Sequence, residues 1–390
     1  MPTRYDESET RQAGFELRFI AYRYLIIDQS KRTHGVKMNI EILETETKVK
    51  IPENLVFGKV YTDHMFEVDY DASQGGWYNP TIKRLEDLQL SPAAMVFHYG
   101  QAIFEGLKAY KQDSGKVALF RPEKNVERLN RSAKRMCIPE IDPELLLKAI
   151  IELVRIDQDW IPTKPGHSLY IRPVVFATEP LLGVRSSEYF KLIVMLSPVG
   201  PYYPEGFKPV PILCTDKYVR AVRKGIGEAK TAGNYAASLM AQAEAKKEGF
   251  SQVLWLDGIE QKYIEEVGAM NIFIRFKDEV ATPMLTGSIL PGITRMSVIQ
   301  ILKDWGYNIQ ERMIDIREVM DAHKSGKLVE MFGSGTAAVI ASVSKLKYNS
   351  TTVAFDENKP GELALALYEE LTAIQYGRKA DKHNWMTYLD

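Results

Sequence analysis

Cysteine is nearly absent from this chain: only Cys137 and Cys214 occur among its 390 residues. Two cysteines so far apart exclude a disulfide framework and a cysteine metal cluster. The six histidines form no H-E-x-x-H pair, which leaves little support for a metal-dependent reaction. No apolar run is long enough to span a bilayer, and the net charge of −1 gives no sign of a nucleic-acid or membrane-surface partner.

The remaining composition is that of an ordinary soluble protein, with 45% hydrophobic and 26% charged residues, and the length predicts two domains. Residues 1–37 mix acids and bases without the apolar region of a secretory signal, so we expect either that Met38 is the native start or that 1–37 is a poorly ordered extension. A proline-rich stretch without periodicity predicts a linker. The expected organisation is therefore an extension at 1–37, a small α/β domain at 38–200, a linker at 201–211 and a large domain at 212–390.

The most informative stretch is Gly225–Tyr235, which reads G-I-G-E-A-K-T-A-G-N-Y. Its single lysine, Lys230, stands among small residues, which let a backbone approach a bulky planar ligand closely. An alanine-rich helical pattern follows at Ala236–Lys247. A buried lysine acquires a lowered pKa and becomes a nucleophile toward carbonyls. An isolated loop lysine is more commonly solvated, so this interpretation depends on the rest of the chain.

Two strand-like patterns carry charged residues. In K-Y-I-E-E-V-G-A-M-N-I-F-I, Glu265 and Glu266 interrupt a buried run, and only one of them can face a given side of a strand. An interior carboxylate needs a cationic partner, and a protonated pyridine nitrogen would supply one. In S-L-Y-I-R-P, Tyr170 and Arg172 alternate and therefore point the same way, and an inward arginine needs a partner. The run M-V-F-H-Y-G at 95–100 predicts a short buried strand.

Three further segments predict anion binding. The segment F-R-P-E-K-N-V-E-R-L predicts a helix whose core face neighbours Arg128, which we expect to lean inward as an anion anchor. L-P-G-I-T-R precedes another helix and leaves free N–H groups at Ile293 and Thr294. F-G-S-G-T-A-A follows a strand and forms a backbone nest with a hydroxyl at Thr336.

A lysine among small residues, a buried carboxylate, an arginine and two anion-binding turns together meet the needs of pyridoxal 5′-phosphate. The same motifs carry a resemblance, from about residue 55 to Trp385. The chain resembles the branched-chain amino acid aminotransferases of the fold-type IV, D-amino acid aminotransferase-like group. The motifs, in order, are F-R-P-E-K-N-V-E-R-L, Y-I-R-P, K-T-A-G-N-Y, E-V-G-A-M-N, L-P-G-I-T-R and G-S-G-T-A.

The resemblance implies a two-domain α/β fold and a role for each motif residue. It makes Lys230 the aldimine lysine and general acid–base, and Glu266 rather than Glu265 the pyridinium partner. It gives Tyr235 a hydrogen bond to the phenolic oxygen of the cofactor. The expected phosphate cradle consists of Arg128, Ile293, Thr294 and Thr336.

The resemblance also implies reversible, ping-pong amino transfer between L-leucine, L-isoleucine or L-valine and 2-oxoglutarate. Thr336 and Ala337 are expected to present N–H groups to the substrate α-carboxylate, and Arg172 to meet the glutamate γ-carboxylate. The expected aromatic walls of the substrate pocket are Tyr99, Phe104, Tyr170 and Tyr202. A cytoplasmic homodimer, whose neighbouring subunit helps to wall the pocket, is also implied.

Two departures from the family pattern are visible. Ala338 and Ala341 stand where some relatives carry C-x-x-C, so a thiol switch at this site is excluded. Ala269 replaces a threonine found in some relatives, which leaves fine substrate specificity open.

Three alternatives stay open. Gly333, Gly335 and Ala338 satisfy G-x-G-x-x-A, with Asp356 downstream, which would fit a nicotinamide-dependent oxidoreductase, but the intervening segment is too short for a crossover helix. A D-amino acid transaminase or an aminodeoxychorismate lyase would keep the cofactor and change the chemistry. A catalytically inactive relative is disfavoured because Lys230 and Glu266 are both present.

Overall fold

Two mixed sheets hold most of the chain in this computed structural model, which describes residues 38–46, 48–52, 55–201 and 207–389. The expected extension at 1–37 and the centre of the expected linker lie outside the described residues. The described residues belong to one compact unit. Within these ranges, no helix is long and apolar enough to cross a membrane.

The first sheet takes eight strands from the first half of the chain and one from its far end. The eight are β1 Glu41–Ile42, β2 His64–Asp71, β3 Gly76–Arg84, β4 Ala102–Phe104, β5 Leu107–Lys111, β6 Val117–Phe120, β7 Ser168–Ala177 and β8 Tyr189–Val199. Their order is β1-β3-β2-β8-β7-β5-β6, with β4 beside β7, and the strand Met386–Tyr388 pairs with β6 at the end. All these pairs are antiparallel except β1–β3.

Three helices accompany the first sheet: α1 Met95–Tyr99, α2 Pro122–Arg135 and α3 Pro143–Ile156. Helix α2 begins at Pro122, as its sequence predicts, because proline fits the first helical position without losing a hydrogen bond. The predicted core face of α2 is confirmed, since Val126, Leu129 and Ala133 are buried.

The expected strand at 95–100 is wrong, because this segment forms helix α1. Only Met95 of the helix is buried, so the run is not the two-sided buried strand that its apolar residues indicated. The helix ends at Gly100, which adopts φ of 61°, a left-handed conformation that glycine accepts readily at helix ends. Local apolarity therefore predicted burial that this part of the chain does not have.

The second sheet contains a closed ring of strands. Its members are β9 Val210–Thr215, β10 Gln252–Leu256, β11 Ile264–Val267, β12 Met270–Phe276, β13 Val280–Pro283, β14 Ile309–Arg312, β15 Leu328–Gly335, β16 Val339–Tyr348 and β17 Thr351–Ala354. The order is β11-β10-β9-β16-β15-β12-β13-β14, with β17 on β16. Because β11 also pairs with β12, six strands close into a barrel filled by aliphatic side chains.

Five helices and one strand complete the description. They are α4 Ala232–Ala236, α5 Leu239–Lys247, α6 Ile293–Asp304, α7 Ile316–Lys324, α8 Glu362–Gln375 and β18 Met386–Tyr388. Apart from β18, the first sheet precedes Gly200 and the second follows it. The expected division into a small and a large domain stays a prediction.

The strands around the second glycine motif exclude half a Rossmann fold. β15 and β16 are antiparallel neighbours joined by a three-residue turn, Thr336–Ala338. A dinucleotide site needs a helix at this place and a parallel strand after it. The nicotinamide alternative is therefore wrong.

Candidate active site

The lysine stretch is fixed on both sides of Lys230 by hydrogen bonds to the first sheet and α2. The Lys230 N–H donates to Ser132 Oγ at 2.9 Å, and its carbonyl accepts from Phe104 N at 3.0 Å. The Thr231 hydroxyl donates to Ala102 O at 2.7 Å. A Cβ on Gly227 would lie 2.2 Å from Ser288 O, so only glycine fits there. These contacts fix the backbone of the loop at Lys230 and leave its side chain outside them.

Lys230 extends its amino group into a cavity of about 400 Å³. Nζ donates to Tyr235 Oη at 2.7 Å and lies 4.8 Å from the centre of the Phe104 ring. The Phe104 and Tyr235 rings contact each other, with their centroids 4.8 Å apart. The side chain is thus half-buried between two aromatic rings, with a hydroxyl at its tip.

Most of the predicted site residues line this one cavity. The structure brings together Phe104, Arg128, Tyr170, Arg172, Lys230, Tyr235, Ile293, Thr294, Thr336 and Ala337. A smaller pocket of about 20 Å³ adjoins it and shares four of its wall residues, namely Tyr235, Ser238, Ala269 and Leu290. Glu266 lies in this adjoining pocket. We call the cavity and the adjoining pocket together the cleft.

Glu266 is a buried carboxylate on the barrel strand β11. Its Oε1 accepts the Leu290 N–H at 2.8 Å, and its Oε2 lies 3.2 Å from Arg220 Nε. Burial raises the pKa of Glu266 above its ordinary value, although the positive charge of Arg220 opposes this rise. Glu265 points elsewhere and accepts from the Ser288 hydroxyl, which agrees with the expected alternation along the strand.

Arg128 is buried at the wall of the cavity, as predicted, but it already has a carboxylate partner. Its Nε and Nη2 donate to the two oxygens of Glu105 at 2.7 and 2.9 Å, and Nη1 donates to Pro291 O at 3.1 Å. Burial would raise the pKa of Glu105, but Arg128 and Asn125 hold it below its ordinary value. Glu105 thus fixes the guanidinium while leaving some of its N–H groups for a ligand.

Two backbone turns that line the same cavity supply further N–H groups. Helix α6 begins after Gly292 with no side chain capping it, so the amides of Ile293 and Thr294 keep their partial positive charge. In the hairpin between β15 and β16, Thr336 and Ala337 also face the cavity. The buried Ser334 hydroxyl beside them has no hydrogen-bond partner among the described residues. A ligand that carries a phosphate fits these donors.

Tyr170 and Arg172 project into the cavity from the same side of β7, as their alternation predicts. Arg172 Nη2 donates to Tyr170 Oη at 3.0 Å, and the guanidinium lies 4.8 Å from the Phe104 ring centre. The partner that an inward arginine needs is supplied by the Tyr170 hydroxyl and by packing of the guanidinium against the Phe104 ring. Arg172 Nε is buried and has no partner among the described residues.

Of the two remaining predicted pocket residues, one lies away from the described cavity and the other lies outside the described residues. Tyr99 lies at the exposed end of α1, where its hydroxyl donates to Leu182 O, and it does not line the described cavity. Tyr99 lies on helix α1 and not on the strand that was expected there. The substrate role of Tyr99 stays a prediction. Tyr202 lies outside the described residues.

Three residues of the site were not predicted, because they lie outside the sequence motifs. Phe57 packs edge-on against Tyr170 at a centroid distance of 5.0 Å and closes one wall of the cavity. Arg220 and Glu105 partner Glu266 and Arg128. Glu105 could have been noticed as an acid inside the apolar run around β4, whereas Arg220 precedes Lys230 in a segment without a pattern.

Comparison with known proteins adds a family to this geometry. The family described as amino-transferase class IV matches residues 102–346. Branched-chain-amino-acid aminotransferase 2 of Bacillus subtilis is 55% identical over 350 residues, which are 90% of this chain and 96% of that protein.

Solved structures with the same architecture carry related ligands. The T.th. branched-chain amino acid aminotransferase with pyridoxamine 5′-phosphate is 29% identical, with a TM-score of 0.67 over 83% of this chain and 98% of that one. The same enzyme complexed with N-(5′-phosphopyridoxyl)-L-glutamate is 28% identical, with a TM-score of 0.66 over the same shares.

Proposed function

Since the chain belongs to the class IV aminotransferases, among their branched-chain-amino-acid members, we propose that it transfers amino groups between L-leucine, L-isoleucine or L-valine and 2-oxoglutarate. The observation that carries this proposal is one connected cleft with Lys230 in its main cavity and buried Glu266 in its adjoining pocket. The anion-binding turns line the same cavity. An amine, a buried acid and a phosphate cradle in one cleft are what the reaction requires.

The residues of the cleft fit pyridoxal 5′-phosphate, the cofactor of the family. The cavity of about 400 Å³ lies in the range of ligand sites, and the unpartnered Ser334 hydroxyl is a polar group that awaits a ligand. We assign the phosphate to Arg128, the amides of Ile293 and Thr294, and Thr336. When bound, this cofactor stabilises negative charge at the Cα of an amino acid through its protonated ring.

Lys230 is the proposed general acid–base. Its amino group, held by the Tyr235 hydroxyl at 2.7 Å, takes the proton from the substrate Cα and later returns a proton. Tyr235 and Phe104 limit where the side chain can swing, which keeps Nζ on one side of the cavity. Glu266 holds a positive charge at the pyridine nitrogen.

The side-chain pocket must accept both aliphatic and acidic substrates. Phe57, Phe104 and Tyr170 offer apolar walls, and burying a leucine side chain there contributes roughly 1.5–3 kcal/mol. We assign the γ-carboxylate of glutamate to the guanidinium of Arg172, which lines the cavity, and the relative bound to a phosphopyridoxyl-glutamate supports that substrate. We assign the α-carboxylate to the N–H groups of Thr336 and Ala337. Tyr99 and Tyr202 stay as predicted contacts.

The two substrates would use this cleft in turn, because it has one lysine and one set of anion-binding turns. Such sharing supports a ping-pong mechanism. The other fold-type IV chemistries, those of D-amino acid transaminases and aminodeoxychorismate lyases, are less supported, since relatives at 50% identity or more bear branched-chain names. The family resemblance also supports a cytoplasmic homodimer.

A transamination assay tests the proposal. Amino transfer to 2-oxoglutarate from leucine, isoleucine, valine and both enantiomers of alanine is measured as kcat/KM. We expect the three branched-chain substrates to be used, and varying both substrates to give parallel double-reciprocal lines. Turnover confined to D-alanine would overturn the substrate assignment, and intersecting lines would overturn the ping-pong order.

Lys230→Ala tests the role of the amine. The variant should lose turnover while keeping the fold, because Lys230 makes its structural hydrogen bonds through its backbone. Circular dichroism and thermal melting report the fold, and the assay above reports turnover. Lys246→Ala, which removes an exposed lysine from α5, is the matched control and should keep full activity. Activity retained in Lys230→Ala would contradict the mechanism.

A further inference from the structure

Arg220 is a buried arginine that lines the adjoining pocket together with Glu266 and precedes the lysine loop in the chain. It is 9% exposed. Its Nε lies 3.2 Å from Glu266 Oε2, and its Nη2 donates to the backbone carbonyl of Ser288. The Nε–H is not aligned for a hydrogen bond to a described residue, so the contact with Glu266 is chiefly one of charge.

The charge of the Arg220 guanidinium acts on two carboxylates, those of Glu265 and Glu266. Glu265 contacts the same turn, since the Ser288 hydroxyl donates to it while the Ser288 carbonyl accepts from Arg220. Burial raises the pKa of both Glu265 and Glu266, and the charge of Arg220 opposes the rise at each. The charge of Asp257 adds to the rise of the Glu265 pKa.

The other positive charges that act on Glu266 have competing tasks. They belong to Arg128 and Lys230. Arg128 is paired with Glu105 through two hydrogen bonds. Lys230 must be uncharged at the moment when it accepts a proton. Of the described cations acting on Glu266, Arg220 is therefore the one that stays charged and has no hydrogen-bonded carboxylate elsewhere.

We propose that Arg220 is a positioning residue: its guanidinium keeps Glu266 ionised and directed into the cleft, so that a bound pyridine ring is protonated at its nitrogen. This inference rests on the proposed function, because it needs a pyridine cofactor in the cleft. Arg220 lines the pocket that holds Glu266 but not the cavity that surrounds Lys230. Arg220 acts through Glu266. Its loss should therefore change the protonation of the pyridine nitrogen and have little effect on substrate binding.

The variants separate charge from packing. Arg220→Lys keeps the charge, whereas Arg220→Met keeps the length of the side chain without it. Arg220→Gln keeps a donor for the Ser288 carbonyl and also lacks the charge, so it replaces Arg220→Met if that variant does not fold. Arg223→Met is the matched control, because Arg223 precedes the same loop but faces Glu260 at 3.9 Å. Circular dichroism establishes the fold of each.

The direct readout is nitrogen-15 NMR of pyridoxal 5′-phosphate labelled at its ring nitrogen and bound to each protein. The chemical shift reports whether that nitrogen is protonated. We expect a protonated nitrogen in the wild type, Arg220→Lys and Arg223→Met, and an unprotonated one in Arg220→Met and Arg220→Gln. The kcat of these last two should fall roughly 10- to 100-fold, as when an outer partner of a metal ligand is removed, with little change in KM for leucine.

The outcomes distinguish this inference from the function on which it rests. A wild type that does not bind the labelled cofactor would overturn the proposed function and this inference with it. A wild type with a protonated nitrogen, together with an uncharged Arg220 variant that is protonated too and as active as Arg223→Met, would overturn only the role of Arg220. A loss of activity with the ring still protonated would make Arg220 merely structural and would also reject the proposal.

Discussion

Lys108 is an ammonium group buried at the back of the turn between β15 and β16. It is 8% exposed, and its Nζ donates to Ala337 O at 2.9 Å. Burial lowers its pKa to about 8, from an ordinary 10.5. A cation in this place supports the turn that we assign to the substrate α-carboxylate, but it costs stability whenever it is charged.

This cost predicts a pH-dependent stability. Between pH 8 and 10.5 the unfolded chain binds a proton at Lys108 that the folded chain has lost, so the free energy of unfolding rises with pH. The shift corresponds to about 3 kcal/mol, which is absent below pH 8 and complete above 10.5. Denaturant unfolding should therefore show wild type gaining this much over Lys108→Met across the window.

The control for Lys108 is Lys164→Met, which removes an exposed lysine from the turn before β7. Its free energy of unfolding should follow that of the wild type at every pH. A wild-type advantage over Lys108→Met that stays constant from pH 8 to 10.5 would contradict the buried, depressed lysine.

At the level of residues, the sequence motifs identified the proposed reactive groups but not the charged residues that pair with the site residues. Lys230 and Glu266 stand in motifs with a chemical logic, and the structure places both in one cleft. Glu105 and Arg220 matter only through contacts made far along the chain. No spacing in the sequence expresses such contacts, because they depend on how two sheets and their loops pack.

At the level of elements, periodic segments were predictable, and so were the short strands at 117–120 and Gln252–Leu256, whereas the short helix α1 was not. The helix at α2 and the strand at β7 follow clear patterns of core residues. The five-residue helix α1 is too short for its apolar residues to show which face is buried. Of these residues only Met95 is buried. The closure of the barrel through β11 and β12 had no signal in any single strand.

The link between β4 and β5 gives a test at this scale. A Cβ on Gly106 would lie 2.0 Å from Tyr170 Oη, so Gly106→Ala must displace that hydroxyl and break its hydrogen bond with Arg172. The loss of about 1 kcal/mol should raise KM for glutamate roughly fivefold. Steady-state kinetics measures this effect. A KM for glutamate in Gly106→Ala that equals the wild-type value would contradict the argument.

At the level of the whole molecule, the fold class was predicted and is confirmed by the class IV family match and by solved structures of the same architecture. The homodimer stays a prediction. Large apolar side chains are exposed on α1, on the loop between β7 and β8 and on α5, namely Phe97, Leu182, Val184, Leu239 and Met240. Because Leu239 also lines the cavity, a neighbouring subunit that covers this surface would help to enclose the substrate.

Sedimentation analysis of a charged variant tests this expectation. Val184 is 86% exposed, and Val184→Glu would place a charge in the apolar contact. We expect the wild type to sediment as a dimer and the variant as a monomer with a raised KM for leucine. Ile259→Glu alters a residue that is 62% exposed on a turn before β11 and should remain dimeric. A monomeric, fully active wild type would contradict the prediction.

Because β18 follows the barrel strands in the chain, the first sheet can be completed only after those strands have been made. Residues 386–388 leave the ribosome after every strand of the barrel, yet they pair with β6, whose residues were made more than half a chain earlier. Until then β6 is an open edge, and open edges invite pairing with other chains. A nascent chain halted between β17 and β18 would therefore hold every strand of the barrel, while its first sheet would still lack one edge strand.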